Sequence, residues 1–177
     1  MRRARSASRQ VESEEDAERF RIRLAYWASF ANFLDSKNSN FRIRRANKDS
    51  WFYFPIGCSQ IHINATVTYS KQRIGVELYI ENRHSKLIFN SLLCDKAQIE
   101  REFGEALEWH ELPTKRTSRI SLFRNGVDPA DQAQYPDLHT WMLDKMERFR
   151  TVFADRVKSL TAQAPAGELQ DEEAAEV

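Results

Sequence analysis

Two neighbouring stretches of the chain alternate apolar and polar residues with the period of two that is expected of half-buried β-strands. The first covers about residues 60–69, and the second, which contains "RIGVELYI", covers about residues 73–81. The apolar side of the second stretch holds Ile74, Val76, Leu78 and Ile80, and its polar side holds Gly75, Glu77, Tyr79 and Glu81. Because only "SKQ" joins the two stretches, we expect them to form a β-hairpin.

Three further strands are predicted from shorter apolar stretches over about residues 51–55, 107–112 and 118–124. The last two are joined by the basic turn "PTKRT", and "NGVDP" ends the sheet. Connections this short within each group of strands favour antiparallel pairing.

Three helices are predicted from apolar residues that recur at helical spacing. They cover about residues 14–35, residues 85–105, and a last segment that begins between residues 130 and 137 and ends near residue 160. The stripe expected to face the core in the first helix is Phe20, Leu24, Trp27, Ala31 and Leu34, widened by Phe30 and Phe33.

The resulting order is α-β-β-β-α-β-β-α, and each strand has one apolar face. We therefore expect an α+β fold, a two-layer sandwich in which helices cover one face of a mainly antiparallel five-stranded sheet. Residues 14–161 are predicted to form a single domain. Residues 1–13 are predicted to be a disordered basic arm, and residues 162–177 a disordered acidic tail.

Composition supports a folded protein, since 41% of the 177 residues are hydrophobic and 11% are aromatic. No apolar run approaches the roughly 20 residues that span a bilayer, and no secretory signal pattern occurs, so we expect a cytoplasmic protein with no membrane partner. Cys58 and Cys94 lack metal-ligand spacing and are expected to be free thiols. Neither GxxxxGK nor GxGxxG is present, and no cofactor is predicted.

Several spaced segments together resemble the bacterial domain-of-unknown-function 4268 family: "AYWASFANFL", "RIGVELYI", "KLIFNSLL", "IEREFGEALEW" and "WMLDKMERFRTVF". The resemblance covers roughly residues 24–160. Domains of that family commonly follow a nuclease-like domain of the restriction-endonuclease type. The resemblance therefore implies bacterial nucleic-acid metabolism or defence, with a nuclease-like protein among the expected partners, and it supplies no catalytic residues.

Glu77 is the best candidate for a catalytic carboxylate. A restriction-type nuclease centre requires a Lys two positions after its second acidic residue, because the carboxylates hold a metal ion and the Lys polarises the attacking water. Tyr79 occupies that position. His62 and His110 also alternate with apolar neighbours and could join Glu77 in a metal site of two histidines and one carboxylate. The alternative is that both histidines are ordinary solvent-facing or hydrogen-bonded side chains.

Basic residues are candidates for contacting a phosphate backbone in DNA or RNA. One group lies in "FRIRRANK", and the others lie in predicted turns. The candidates are Arg42, Arg44, Arg45, Lys48, Lys71, Arg73, Lys115 and Arg116. The alternative is that they occupy solvated loops with no ligand.

The strand "WFYF" is apolar on both faces, with Trp51 and Tyr53 on one side and Phe52 and Phe54 on the other. If helices cover one face only, an aromatic pair remains on the opposite face. The partner surface predicted there is Trp51, Tyr53, His62, Asn64, Thr66, Glu77 and Tyr79. Alternatively, the N-terminal segment or the 36–50 loop folds over it.

These observations favour a non-catalytic recognition or assembly domain associated with nucleic acid. The first alternative is a metal-dependent nuclease that uses Glu77, His62 and His110. The second is a protein-interaction module or homodimer with no nucleic-acid role.

Overall fold

The computed structural model describes the backbone of residues 2–164 and the side chains of residues 14–164. Its main elements are α1 (Arg2–Ser36), β1 (Trp51–Cys58), β2 (Ile61–Thr68), β3 (Arg73–Ile80), α2 (Ser85–Cys94), α3 (Lys96–Phe103), β4 (Glu108–His110), β5 (Ser118–Asn125) and α4 (Tyr135–Gln163). Short 3-10 helices, Tyr69–Lys71 and Gln132–Gln134, precede β3 and α4.

The five strands form one sheet in the order β1-β2-β3-β5-β4, and every neighbouring pair is antiparallel. The hairpin of β2 and β3 is confirmed, with Ile61 opposite Ile80 at one end and Thr68 opposite Arg73 at the other. Gln72 closes its turn in the left-handed region, with φ 44°. The predicted α+β architecture with a mainly antiparallel five-stranded sheet is therefore confirmed.

The core lies between the sheet and its helices. Alternate residues of β2 and β3 are fully buried, among them Ile63, Val76 and Leu78. α4 packs against β1, β2 and β3, and α2 packs against β5. Each large apolar side chain that is removed from water in this way stabilises the fold by about 1.5–3 kcal/mol. The helices thus occupy one face, and we call the opposite face the outer face.

The buried stripe of α1 contains the predicted Trp27, Phe30 and Leu34 but differs from the prediction in the N-terminal part of the helix. There Phe20 and Leu24 are 37% and 47% exposed, whereas Ile22 and Tyr26 are buried. Helical spacing is compatible with either stripe, because apolar residues occupy more than half of the circumference of this helix. Packing against α4 selects the stripe that contains Tyr26, since its ring lies 5.3 Å from that of Tyr135.

The predicted second helix is divided into α2 and α3 at Asp95. The backbone of Asp95 leaves helical geometry, with φ −96° and ψ 12°. Its N–H donates to carbonyls of α2, and its carbonyl accepts from Gln98 and Ile99 in α3. Gly104 ends α3 in the left-handed region at φ 87°, as is usual for a glycine at a helix C-terminus.

Two predicted boundaries fall near the ends of the described residues. α1 already includes residues 2–13, whose side chains are outside the described part, and the disordered arm predicted there stays a prediction. α4 continues to Gln163, and the predicted acidic tail lies outside the described residues from residue 165 onward. Within the described part, no helix has the length and apolar character needed to cross a bilayer.

The connection between α1 and β1 is held on the helix side of the sheet. The Phe41 ring is buried at 5.3 Å from the Phe54 ring, which points to the core. The indole N–H of Trp27 donates to the carbonyl oxygen of Asp49 at 2.8 Å. This connection therefore does not cover the outer face, where Trp51 and Tyr53 remain 46% and 62% exposed.

Candidate binding cleft on the outer sheet face

The strand register arranges the outer face in cross-strand rows. The central row is Tyr53, Asn64, Glu77 and Ser121, from β1, β2, β3 and β5. The row nearer the β2–β3 turn is Trp51, Thr66, Gly75 and Phe123, and the row on the other side contains His62, Tyr79 and Arg119. Except for Gly75 and Ser121, these residues, with Ser50, Thr68, Arg73 and Glu81, line a cleft of about 590 Å³.

Glu77 lies at the floor of this cleft and is only 5% exposed. Asn64 Nδ2 donates to Glu77 Oε1 at 3.2 Å, and Ser121 Oγ donates to Glu77 Oε2 at 3.3 Å. Arg119 Nη1 lies 3.8 Å from the same Oε2. The carboxylate is therefore held by three neighbours, and it does not simply face water. A carboxylate has about four lone-pair sites, so it can accept further hydrogen bonds.

Asn64 is the second buried polar group at the floor, with 6% exposure. Its Nδ2 donates to Glu77, but its Oδ1 is buried and has no hydrogen-bond partner among the described residues. A buried acceptor left without a donor costs about 1–3 kcal/mol, which makes this atom unusual in a folded protein.

Gly75 allows the Phe123 ring to lie flat on the sheet at one end of the cleft. A Cβ atom at Gly75 would stand 2.7 Å from Phe123 Cε1 and 2.9 Å from Thr66 Oγ1. An aromatic ring that covers a cross-strand glycine is a known device of β-sheets. The Arg73 guanidinium lies over the Phe123 ring, 3.9 Å from the ring centroid.

Four ring side chains continue across the cleft from β1 to β3. Trp51 and Tyr53 have centroids 6.5 Å apart, Tyr53 and His62 5.5 Å, and His62 and Tyr79 5.3 Å. Burial lowers the pKa of His62, and the carboxylates of Glu81 and Glu77 oppose this shift only in part. His62 is therefore a neutral ring at neutral pH, and the cleft offers a row of uncharged aromatic surfaces.

The three residues of the predicted metal site share the outer face but do not meet. His62 and His110 belong to one row in which Tyr79 and Arg119 stand between them. Three strand spacings separate them, about 14 Å. His110 Nε2 instead lies 3.3 Å from Glu108 Oε2. Among the residues with described side chains, no group of three or more His, Cys, Asp or Glu could hold a metal ion.

The predicted basic residues do not form one patch, and of the eight only Arg73 lines the cleft. Arg42 donates to carbonyls of its own loop, and Lys48 Nζ lies 4.7 Å from the Phe20 ring. Arg44 and Arg45 are exposed in that loop, and Lys71 lies in the β2–β3 turn. Lys115 and Arg116 precede β5 and therefore lie near the opposite end of the sheet.

The sequence did not predict three residues of β5: Arg119 and Phe123, which line the cleft, and Ser121, which donates to Glu77. The signal was present in "SRISLFRN", where they alternate with Ile120 and Leu122. Alternation in β5 predicts that they share a face, but it does not predict that this strand lies directly beside β3.

Comparison with known proteins gives one family. A family model described as a domain of unknown function, DUF4268, matches residues 22–157. Ile22 and Val157, at the two ends of this span, are the first and last buried residues of the described part. Neither a curated protein nor a solved structure matches the chain.

Proposed function

The chain belongs to the DUF4268 family, and we propose that in this member the outer sheet face is a non-catalytic recognition surface for single-stranded nucleic acid. The observation that carries the proposal is the exposed pair of Trp51 and Tyr53 beside Arg73, on a sheet whose helices pack on the other face. Sheets with open aromatic faces are a common platform for unpaired bases.

Stacking would provide most of the binding energy. Trp51 and Tyr53 are 46% and 62% exposed, so their ring faces are accessible without rearrangement of the core. A base stacked on an aromatic side chain contributes about 1–3 kcal/mol, and this term depends little on sequence. The neutral ring of His62 and the ring of Tyr79 extend the same row of aromatic surfaces.

The charges of the cleft favour one orientation of the strand. Arg73 lies at the end of β3 that adjoins the β2–β3 turn, and Lys71 lies in that turn. Glu81 lines the opposite end of the cleft, beyond Tyr79. Arg119 is paired with Glu77, whereas Arg73 has no carboxylate partner among the described residues and can meet a phosphate. We place the phosphate backbone at the Arg73 end.

Recognition is a better account of this site than hydrolysis. Asn64 and Ser121 donate to the Glu77 carboxylate, Arg119 lies 3.8 Å from it, and His110 lies on the far strand β4, so Glu77, His62 and His110 do not converge on a metal ion. Family context supports a nuclease-linked setting in bacteria, and the free thiols of Cys58 and Cys94 support a reducing cytoplasm.

Fluorescence anisotropy with a labelled 12-nucleotide DNA strand, and with its RNA equivalent, tests the proposal. We expect Tyr53→Ala to weaken binding about 5- to 100-fold, because it removes one stacking surface. Leu87→Ala is the matched control, since Leu87 is 58% exposed but lies on α2. Both variants should keep the unfolding temperature of the wild type, because both side chains are exposed.

Arg73 provides a separate test of orientation and charge. Arg73→Ala should reduce the dependence of log Kd on log salt by about 0.7, the contribution of one phosphate contact to a single strand. Arg116→Ala, near the opposite end of the sheet, should leave this dependence unchanged. Equal binding by wild type and Tyr53→Ala would refute the proposal, and so would the absence of any binding to either strand.

A homodimer is the second candidate, because two exposed aromatic side chains on an open sheet face also suit a protein contact. Light scattering of the wild type and of Trp51→Glu distinguishes the two candidates. A dimer that Trp51→Glu converts to a monomer, without affinity for either nucleic acid, would establish the protein contact. Cleavage of DNA or RNA with magnesium or manganese that Glu77→Ala abolishes would establish the nuclease.

A further inference from the structure

Two hydrogen-bond acceptors at the floor of the cleft could be used by a ligand. Asn64 Oδ1 is buried and has no partner among the described residues, and the Glu77 carboxylate beside it has lone pairs left over. Both groups belong to the central row, below the aromatic rings. A ligand that fits this floor must bring N–H donors to it.

From this arrangement we propose that the cleft floor reads the exocyclic amino group of a nucleobase, through Asn64 Oδ1 and the Glu77 carboxylate. The inference rests on the proposed function and specifies which bases the site accepts. An amino group has two N–H donors, which match two neighbouring acceptors. Adenine and cytosine carry such an amino group on the Watson–Crick edge of the base. Thymine and uracil carry a carbonyl oxygen at that position.

Charge strengthens this match. A hydrogen bond to a carboxylate is roughly twice as strong as one between neutral groups. The donor would also satisfy Asn64 Oδ1, which otherwise costs about 1–3 kcal/mol. A carbonyl oxygen in the same place would face two acceptors, and both it and Asn64 Oδ1 would be left without a donor.

The cleft has the size and the access that a base requires. Its volume of about 590 Å³ lies in the range of sites for small organic ligands. Tyr53 stands directly across from Asn64 on β1 and is 62% exposed. A base must displace a neighbouring side chain to reach the shielded Oδ1, and the exposed Tyr53 ring is the side chain that we expect to move and to stack on the base.

The test changes a single group on the ligand. Two thymidine 9-mers are compared by anisotropy, one with a central adenine and one with a central purine, which is adenine without its amino group. The two bases offer similar stacking surfaces. We expect wild-type protein to bind the purine strand about 5- to 30-fold more weakly, the equivalent of one or two lost hydrogen bonds.

A substitution at Asn64 tests whether the floor of the cleft causes the preference for the adenine strand. Asn64→Leu removes the free acceptor and leaves the Glu77 carboxylate, so the ratio of its affinities for the two strands should fall well below the wild-type ratio. Asn90→Leu is the control, since Asn90 is exposed on α2, and it should keep the wild-type ratio. If Asn64→Leu does not fold, the comparison of the two strands on wild-type protein decides alone.

The outcomes separate the two proposals. Equal wild-type affinity for the adenine and purine strands overturns the amino-group inference and leaves strand binding intact. An unchanged ratio in folded Asn64→Leu also overturns it. No binding of either strand by the wild type overturns the proposed function together with the inference.

Discussion

His139 is buried in an aromatic cluster between α1 and α4, and we expect it to make the stability of the fold depend on pH. Its ring centroid lies 4.9 Å from that of Tyr26, 5.2 Å from Phe30 and 5.1 Å from Tyr135. Its Nε2 lies 3.1 Å from Ser29 Oγ, and its Nδ1 has no hydrogen-bond partner in the described part. Such a site accepts a neutral imidazole and resists the charged form.

The magnitude follows from the pKa of the ring. Burial lowers the pKa of His139 from its ordinary 6.5 to about 4. Above pH 6.5 the ring is neutral in folded and unfolded chains, and the fold has its full stability. Below pH 6.5 the unfolded chain binds a proton that the folded chain does not, so the free energy of unfolding falls by up to about 1.4 kcal/mol per pH unit. The expected loss between pH 7 and pH 5 is about 2 kcal/mol, and it stops below pH 4.

Urea unfolding monitored by circular dichroism at pH 7, 6 and 5 measures this loss. His139→Phe keeps an aromatic ring in the cluster but cannot be protonated, so its free energy of unfolding should vary about 2 kcal/mol less than that of the wild type. The lowered pKa values of Glu100, Glu102 and Asp144 do not interfere, because carboxylates of this kind reduce stability only when the pH falls below their ordinary range near 4.

His110→Gln is the matched control, because His110 lies on the outer face with a 39% exposed side chain. It should retain the loss of about 2 kcal/mol between pH 7 and pH 5 that we assign to His139. Parallel loss of stability in wild type and His139→Phe between pH 7 and pH 5 would refute the reasoning.

Two further predictions concern stability and use the same assay. Gly75→Ala should lower the free energy of unfolding by about 1–3 kcal/mol, because its Cβ would stand 2.7 Å from Phe123 Cε1. The loss should be smaller when Phe123→Ala is already present, and additive effects of the two substitutions would contradict this contact. Lys86→Met should cost about 2 kcal/mol, since Lys86 Nζ donates to the carbonyl oxygen of Leu112 at 2.8 Å and supports a turn in which Leu112 has φ 55°. Lys115→Met, exposed in the same turn, should be neutral, and equal effects of the two lysine substitutions would contradict the assigned support.

Local pattern predicted most of the secondary structure of this protein. The alternation in β2 and β3 identified both strands and their buried side chains, since every second residue of a strand points to the same face. It also placed Trp51, Tyr53, His62 and Glu77 together on the face away from the helices. The break at Asp95 was missed, because helical spacing of the apolar residues continues through it.

The pattern of apolar and polar residues could not predict which distant segments of the chain contact each other. The Phe20 and Leu24 positions satisfied helical spacing, yet packing against α4 buried the neighbouring residues Ile22 and Tyr26. The basic residues of the 42–48 segment looked like one group with the aromatic strand. In the structure, Arg42 instead donates to carbonyls of its own loop.

The amino-acid sequence by itself determined which residues form strands and which side of each strand is apolar, because both follow from a repeat of two residues along one segment. Only the tertiary structure decided that β5 lies beside β3, and so that Ser121 and Arg119 meet Glu77 across 44 and 42 positions of the chain. The same pairing order put His110 on the far strand, away from His62. The period of a strand is a local property of the backbone, whereas the neighbours of a side chain across a sheet depend on the order in which the strands pair.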